Sequence, residues 1–214
     1  MELTCFKAYD VRGELGVNID ADICYRIGRS FAQSLNAKTI VVGRDARETS
    51  PELADAVSNG IRDAGADVLD IGLSGTEEMY WATTEFAACG GIEVTASHNP
   101  INYNGLKMVK AGSKPLDPET DLLSVRELAQ SQAFSQPVKS GSMTNVSQSA
   151  KKAYVAKLLS FIDTTCLTAM KVVVNSGNGA AGPTFDAVAD ALGEMTNALD
   201  FVRVHHEPDH TFPN

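Results

Sequence analysis

Short β-branched runs alternate with amphipathic helical segments along most of this chain. The run TIVVG (39–43) precedes a helical segment at 50–65, in which Leu53, Val57 and Ile61 recur every four residues. Alternation of these two periodicities is typical of strands that are joined by helices. The sequence therefore predicts a three-layer α/β/α domain with a mixed, largely parallel sheet. The other elements predicted up to residue 131 are helices at 20–36, 76–88 and 117–131 and strands at 66–72, 91–96 and 105–110.

A polar segment at residues 131–149 interrupts this pattern. It is rich in Ser and Gln and has few apolar residues, which is typical of a linker or a loop-rich seam. We therefore predict a first domain at 1–140 and a second unit at 141–214. One strand–helix–strand unit is too small to close its own core, so this second unit is interpreted as the start of a similar α/β domain and the chain as a fragment of a longer protein. Its predicted elements are helices at 150–162 and up to about 192 and strands at 171–176 and 199–205.

The composition restricts the partners of the protein. The 214 residues carry a net charge of −9, so neither nucleic acid nor an anionic membrane surface is an expected partner. An anionic ligand would need a local cluster of Arg and Lys. No segment approaches the ~20 apolar residues of a membrane span or has the apolar core of a signal peptide, so a cytoplasmic protein is predicted. The four cysteines are scattered without a CxxC pair, which favours reduced thiols over disulfides or a zinc site.

The segment IEVTASHNPINYNGLK (92–107) places a cluster of polar residues directly after a predicted strand. A Ser97–His98 hydrolase pair is not favoured, because adjacent side chains rarely have nucleophile–base geometry and the G-x-S-x-G pattern is absent. The segment is better interpreted as an anion cradle, in which Asn99 and Asn104 are amide donors, Pro100 fixes the turn and Gly105 admits close backbone approach. Lys107 would be a cation or a base there, although an ordinary solvated strand lysine remains an equal alternative.

Basic residues follow two other predicted strands. KAYDVRG (7–13) puts Tyr9 and Arg12 in a turn after the first strand, and GRDAR (43–47) puts Arg44 and Arg47 after the second. Each arginine alone is more simply a surface residue. If the strands run parallel, however, these residues share an edge of the sheet with Ser97. Together they would supply the local positive charge that a phosphorylated ligand needs.

Four segments together resemble the α-D-phosphohexomutase superfamily: FKAYDVRG, GRDAR, IEVTASHNPINYNGLK and VVVNSGNGAAG. The resemblance covers nearly the whole chain, and its T-x-S-H-N-P signature is specific. It implies a phosphoserine at Ser97 that exchanges its phosphoryl group with a sugar. It also implies that His98 and Asn99 shape the site around this serine. Lys107 is the implied general base, with Arg12 beside it, and Tyr9 is implied to lie near the substrate.

The resemblance further implies a reaction and a cofactor. It is strongest to members that interconvert mannose 6-phosphate and mannose 1-phosphate through a sugar 1,6-bisphosphate, toward GDP-mannose and polysaccharide synthesis. Mutases of glucose or glucosamine phosphates, and a non-catalytic fragment, are the alternatives. Mg²⁺ is the implied cofactor, with an oxygen of the phosphoryl group on Ser97 as one ligand. The family's D-G-D-x-D metal loop does not occur in this sequence, so little activity is expected of the chain alone. The oligomeric state is left open between monomer and homodimer.

Two further motifs carry weaker signals. GNGAAG (177–182) resembles a dinucleotide-binding turn but lacks a well-placed acidic residue after a second strand. HHE (205–207) with His210 could chelate a metal, although a solvated loop is the simpler interpretation. His210 also stands where the superfamily usually has glycine, which questions the backbone conformation of the PDHTFP segment.

Overall fold

The strands of the first domain form one mixed sheet. In the computed structural model, which describes residues 2–137 and 139–214, the sheet has seven strands in the order β1-β5-β4-β2-β3-β7, with β6 beside β5. β2, β3, β4 and β7 run parallel, whereas β5 is antiparallel to β4, β1 and β6. The strands are β1 Val11–Glu14, β2 Thr39–Arg44, β3 Asp67–Leu73, β4 Gly90–Val94, β5 Tyr103–Lys110, β6 Lys114–Pro115 and β7 Met143–Asn145.

Helices cover both faces of this sheet. One hydrophobic cluster is covered by three helices, α1 (Ala21–Ser34), α2 (Ser50–Asp63) and α4 (Asp121–Ser131). A second cluster is covered by two helices, α3 (Thr76–Glu85) and α5 (Ser147–Leu159). The first cluster buries the predicted stripe of α2, including Val57 and Ile61. Two apolar layers on opposite faces of a sheet make a three-layer architecture. The predicted α/β/α fold with a mixed sheet is therefore confirmed.

The polar segment 131–149 contributes a strand that the sequence did not reveal. Met143–Asn145 form β7, which pairs in parallel with Val68–Asp70 of β3. β7 has no apolar alternation, so its sequence gives no strand signal. The first sheet thus continues past residue 140, and the division of the chain at 140/141 stays a prediction. Val138 of this segment lies outside the described residues.

A smaller strand–helix–strand unit follows. β8 (Met170–Asn175) and β9 (Leu199–Val204) are parallel, and α6 (Ala181–Met195) packs on one face through Phe185, whose ring centroid lies 5.1 Å from that of Phe201. The helices and strands predicted here are present, with ends shifted by a few residues. No helix among residues 2–137 and 139–214 is both long and apolar enough to cross a membrane.

The cysteines behave as the sequence indicates. All four are free thiols; Cys5 and Cys24 are buried, Cys89 is half-buried and Cys166 is exposed. Burial raises the pKa of Cys5 to about 11 and raises that of Cys24 further. These two thiols stay protonated at neutral pH and pack as small apolar groups.

Candidate active site

The loop between β4 and β5, residues 95–102, presents Ser97 at the edge of the sheet. This Ser97 loop follows the carboxyl end of β4, beside the end of the parallel strand β2. Ser97 is exposed and has φ 56°, a left-handed conformation that is uncommon for serine. The hydroxyl of Thr95 accepts a hydrogen bond from the Ser97 amide at 2.9 Å. A non-glycine residue in this conformation costs about 1–3 kcal/mol and is found disproportionately at functional sites.

His98 is not well placed to act as a base for Ser97. Its Nδ1 lies 3.4 Å from the Ser97 Oγ, which is longer than an ordinary hydrogen bond to a hydroxyl group. His98 is exposed, like Ser97. This geometry supports the interpretation that His98 shapes the site and does not form a hydrolase pair.

Arg12 and Lys107 meet at a buried carboxylate. Arg12 Nε lies 2.9 Å from Asp10 Oδ2, and Lys107 Nζ lies 3.9 Å from the same oxygen. Arg12 Nη1 also donates to Asn99 Oδ1 at 3.0 Å, so this cluster is tied directly to the Ser97 loop. Asp10 itself is buried. Two cations that share one carboxylate leave a net positive charge, which suits a phosphorylated ligand.

The sequence placed Arg12 correctly at this edge but for the wrong reason. Arg12 does not lie in a turn after the first strand: it lies on β1, which is antiparallel to β5 and pairs Arg12 with Gly105. Asp10 was missed by the sequence reasoning. Its one signal was its position between Tyr9 and Arg12 in KAYDVRG, and a lone aspartate in a turn is usually solvated. Only the folded chain shows that Asp10 is buried between two cations.

Two of the predicted basic-patch residues lie elsewhere or face inward. Arg44 lines a separate cavity of about 710 Å³ with Asp70 and with Ser147 and Lys151 of α5. Arg47 is 5% exposed and donates to backbone carbonyls of the Ser97 loop. The prediction that Arg44 and Arg47 supply positive charge for a ligand beside Ser97 is therefore wrong. Tyr9, in contrast, is 67% exposed in the turn before β1, where its side chain is free to meet a ligand.

Asn104 does not serve as an anion donor. Its Nδ2 donates to Thr49 Oγ1 at 2.9 Å and to Ser50 Oγ at 3.0 Å, and its Oδ1 accepts from the amide of Gly105. The side chain is fully buried. A buried amide must find partners inside the protein, and here these partners fasten the start of α2 to β5.

The segment after β9 forms a second wall of the site. A cavity of about 360 Å³ lies between the Ser97 loop and this segment; its lining residues are Arg47, Ser97, His98, Asn99, Ile101, Thr211 and Phe212. Asn178, in the GNGAAG turn, holds the segment by accepting from the Asp209 amide at 2.9 Å and donating to the Glu207 carbonyl at 2.9 Å. His210 is not among the residues with positive φ, whereas Phe212 has φ 46°. The absence of glycine at position 210 therefore strains nothing.

The described residues do not assemble a metal site. Across residues 2–137 and 139–214, no three His, Cys, Asp or Glu side chains are grouped as metal ligands. His206 Nδ1 lies 3.0 Å from Asp186 Oδ1 and its Nε2 lies 3.1 Å from the carbonyl oxygen of Val174, so this imidazole joins α6 to β8. Ser97 alone would offer Mg²⁺ a single phosphoryl oxygen, which does not complete a coordination sphere.

Glu93 is a buried carboxyl group behind the Ser97 loop. It lies on β4, two residues before Thr95, and Ser74 Oγ donates to both of its oxygens at 3.1–3.2 Å. Burial raises the pKa of Glu93 well above its ordinary value of 4.5, although the Ser74 hydrogen bond opposes this shift. Burial therefore favours the neutral acid over the carboxylate at this position.

Glu93→Gln is expected to stabilise the chain increasingly as the pH rises. A raised folded pKa contributes stability that is complete below the unfolded pKa and is lost as pH rises through the folded value. The neutral glutamine has no such loss, so its advantage in the free energy of unfolding should grow as the pH rises above the ordinary pKa of a glutamate. Urea unfolding of both proteins from about pH 5 to about pH 8 measures this. Exposed Glu127→Gln is the control, and a constant difference for Glu93→Gln would contradict the expectation.

Comparison with known proteins agrees with this arrangement. Residues 4–135 match the family described as phosphoglucomutase/phosphomannomutase, alpha/beta/alpha domain I. A phosphomannomutase of Salmonella montevideo is 50% identical over 213 residues, which cover 99% of this chain and 46% of that protein. A phosphomannomutase of Escherichia coli is 48% identical over 213 residues, covering 99% of this chain and 47% of its own length. The chain thus spans about half the length of these curated relatives.

Solved structures show the same fold. A phosphoglucomutase/phosphomannomutase family protein from Burkholderia thailandensis superposes with a TM-score of 0.84 at 33% identity, covering 100% of this chain and 46% of that one. A structure from Thermus thermophilus, titled a phosphomannomutase, gives a TM-score of 0.79 at 21% identity over 97% of this chain and 47% of its own, which bears on the fold alone. With its family match, its relatives and its sheet in agreement, this chain belongs to the phosphoglucomutase/phosphomannomutase family.

Proposed function

We propose that this chain is the phosphoserine-bearing part of a phosphomannomutase, which interconverts mannose 6-phosphate and mannose 1-phosphate and so supplies GDP-mannose for polysaccharide synthesis. The observation that carries the proposal is the exposed Ser97, in a left-handed turn whose Asn99 is bound by Arg12. The relatives at 48–50% identity are named phosphomannomutase, which supports mannose as the sugar. The reaction is proposed for the whole protein, since this chain spans about half of those relatives. We place the enzyme in the cytoplasm, acting on a phosphosugar and on neither nucleic acid nor a membrane.

The proposed chemistry transfers one phosphoryl group in each direction. Phosphorylated Ser97 gives its phosphoryl group to a free hydroxyl of the sugar phosphate: the bond from phosphorus to Ser97 Oγ breaks and a bond to the sugar oxygen forms. Lys107, in its uncharged amine form, takes the hydroxyl proton, and this proton is then passed to the released serine oxygen. The resulting 1,6-bisphosphate reorients in the site, and Ser97 Oγ attacks its other phosphorus atom: the bond from that phosphorus to its sugar oxygen breaks, and the serine proton is passed to that oxygen. Phosphoserine is restored, so the net reaction is an isomerisation that consumes no phosphate.

The described side chains suit this chemistry because phosphoryl transfer depends mainly on positioning and on neutralising charge. Arg12 binds both the loop and Asp10. It can therefore orient the phosphate while Asp10 holds the Arg12 side chain in place. Lys107 approaches the same Asp10, which places the proposed base beside the proposed anion binder. Asn99 and exposed His98 border the reacting group, and Tyr9 would meet the sugar.

Mg²⁺ is the proposed cofactor of the complete enzyme. A divalent cation would neutralise charge on the transferred phosphoryl group. Within the described part of this chain only Ser97 would contribute a ligand, through its phosphoryl oxygen. The remaining ligands would have to come from outside these 214 residues, and we therefore propose that the chain alone does not turn over.

Steady-state kinetics of the full-length enzyme test this proposal. The expected result is a kcat/KM for mannose 1-phosphate at least about tenfold above those for glucose 1-phosphate and glucosamine 1-phosphate, the lower end of the discrimination that binding contacts provide. The 214-residue chain is the comparator and is expected to be inactive. The family description also names phosphoglucomutase, so a preference for glucose would replace mannose in the proposal. Absence of turnover with all three sugars would refute the mutase function.

A further inference from the structure

Arg47 lies in the turn between β2 and α2, with its guanidinium group buried against the Ser97 loop. Nη1 donates to the carbonyl oxygens of Pro100 at 2.9 Å and Tyr103 at 3.1 Å. Nη2 donates to those of Ser97 at 3.1 Å and Asn99 at 2.6 Å. A guanidinium group has four N–H bonds on its two terminal nitrogens. All four are used, so Arg47 has no terminal donor left for a ligand.

These bonds support a backbone arrangement that is unfavourable by itself. Carbonyl groups that converge on one point repel each other, and each buried carbonyl without a donor costs about 1–3 kcal/mol. The loop also holds Ser97 at φ 56°, a conformation that persists only where the surroundings enforce it. Because Arg47 binds the carbonyl group of Ser97 itself, it fixes the peptide plane that leads out of the reactive residue.

The rest of the Arg47 side chain is enclosed as well. Nε lies 3.4 Å from Asp45 Oδ2, and Asp45 Oδ1 accepts from the Arg47 amide at 3.0 Å. The aromatic ring of Phe212 covers the guanidinium group, with its centroid 5.9 Å from Cζ. Nε has no hydrogen-bond partner among the described residues, but the loop carbonyls, the Asp45 carboxylate and the Phe212 ring together hold the planar group in one orientation, which a flexible lysine could not reproduce.

We infer that Arg47 is a positioning residue for phosphoryl transfer: it holds Ser97 in the orientation from which the serine gives and takes the phosphoryl group, without touching the substrate. The inference rests on the proposed mutase function. Arg47 acts through the loop backbone, so its loss should impair the chemical step and leave sugar binding nearly intact. An ammonium group has three donors on a flexible stem and cannot span four carbonyls.

Kinetics of Arg47→Lys in the full-length enzyme test this role. We expect kcat for mannose 1-phosphate to fall about 100-fold, the usual cost of a misplacement of about 1 Å, and KM to change less than about threefold. Arg29→Lys is the matched control, because Arg29 is also buried, donates to a carbonyl at 3.3 Å and faces an aromatic ring at 4.7 Å, all away from the loop. Its kcat should stay within about twofold of wild type, as for a distant site. A folded Arg47→Lys enzyme with wild-type kcat, or with a raised KM alone, would overturn the inference.

Hydrogen exchange separates this inference from the proposed function, because it needs no turnover. In the 214-residue chain, Arg47→Lys should speed exchange of the hydrogen-bonded amides of Ser97, Asn99 and Tyr103 by about tenfold or more, since local opening becomes easier. Arg29→Lys should leave them unchanged. Faster exchange in the variant chain, together with a full-length enzyme that lacks mutase activity, would refute the function and keep the positioning role, whereas unchanged exchange would overturn the positioning role. If Arg47→Lys does not fold, Phe212→Ala takes its place, because it admits water to the guanidinium group and should speed the same exchange about threefold. Exchange as slow in Phe212→Ala as in the wild-type chain would also overturn the positioning role.

Discussion

Ser97→Ala in the full-length enzyme is expected to lower kcat for mannose 1-phosphate by about 10⁴-fold or more, the scale seen when a covalent nucleophile is removed. The proposed reaction passes through a bond between phosphorus and Ser97 Oγ, and alanine has no atom that can form it. The wild-type enzyme, incubated with a sugar 1,6-bisphosphate, should gain one phosphate group by intact-mass analysis. The alanine variant should gain none.

Two further variants show that such a loss comes from the missing hydroxyl group. Ser97→Gly also removes the hydroxyl, but glycine adopts φ 56° without the strain that serine bears. It should therefore be as inactive as Ser97→Ala while remaining at least as stable toward urea. Ser131→Ala removes an exposed hydroxyl at the end of α4 and should keep full activity. A Ser97→Ala enzyme that still turned over and still carried phosphate would show that another residue is the nucleophile.

The alternation of elements could be predicted because its signals are local. Leu53, Val57 and Ile61 repeat at the helical period and are all buried in α2, as the sequence indicated. β1 and β7 gave no such signal, because they are short and owe their existence to pairing with β5 and β3. Strand pairing joins residues that are far apart in the chain, and no local pattern of four residues reports it.

The residues of the candidate site could be named from the sequence, whereas their contacts could not. The T-x-S-H-N-P signature located Ser97, and the cluster around Asp10 places Arg12 and Lys107 near its loop. Arg47 was assigned to ligand binding, yet it points at loop carbonyls. A polar side chain at a strand end can satisfy either a ligand or the protein's own backbone, and the sequence does not distinguish them. A loop with a serine in left-handed conformation leaves carbonyl groups that need hydrogen-bond donors. A buried arginine beside this loop can supply those donors.

Gly105→Ala is expected to destabilise the 214-residue chain by about 3 kcal/mol or more, the upper end of the usual cost of overpacking. Gly105 lies in β5, opposite Arg12 of β1. A Cβ atom there would come within 2.1 Å of the Val11 carbonyl oxygen and 3.1 Å of that of Thr95. Both are backbone atoms of neighbouring segments, so neither can rotate away, and β1 would have to separate from β5. Urea unfolding followed by circular dichroism measures the change.

Gly193→Ala supplies the matched control for this effect. Gly193 is exposed in α6, and a Cβ atom there meets nothing within 4 Å. The same substitution should therefore stabilise the chain by about 0.5–1 kcal/mol, because alanine favours the helix and restricts the unfolded chain. If the two variants change the free energy of unfolding in opposite directions, the loss in Gly105→Ala comes from the close packing of β1 on β5. The same packing places Arg12 of β1 near Asn99. Equal effects, or a Gly105→Ala chain as stable as the wild type, would show that β1 does not pack against β5 as described, and the Arg12–Asp10–Lys107 cluster would lose its structural basis.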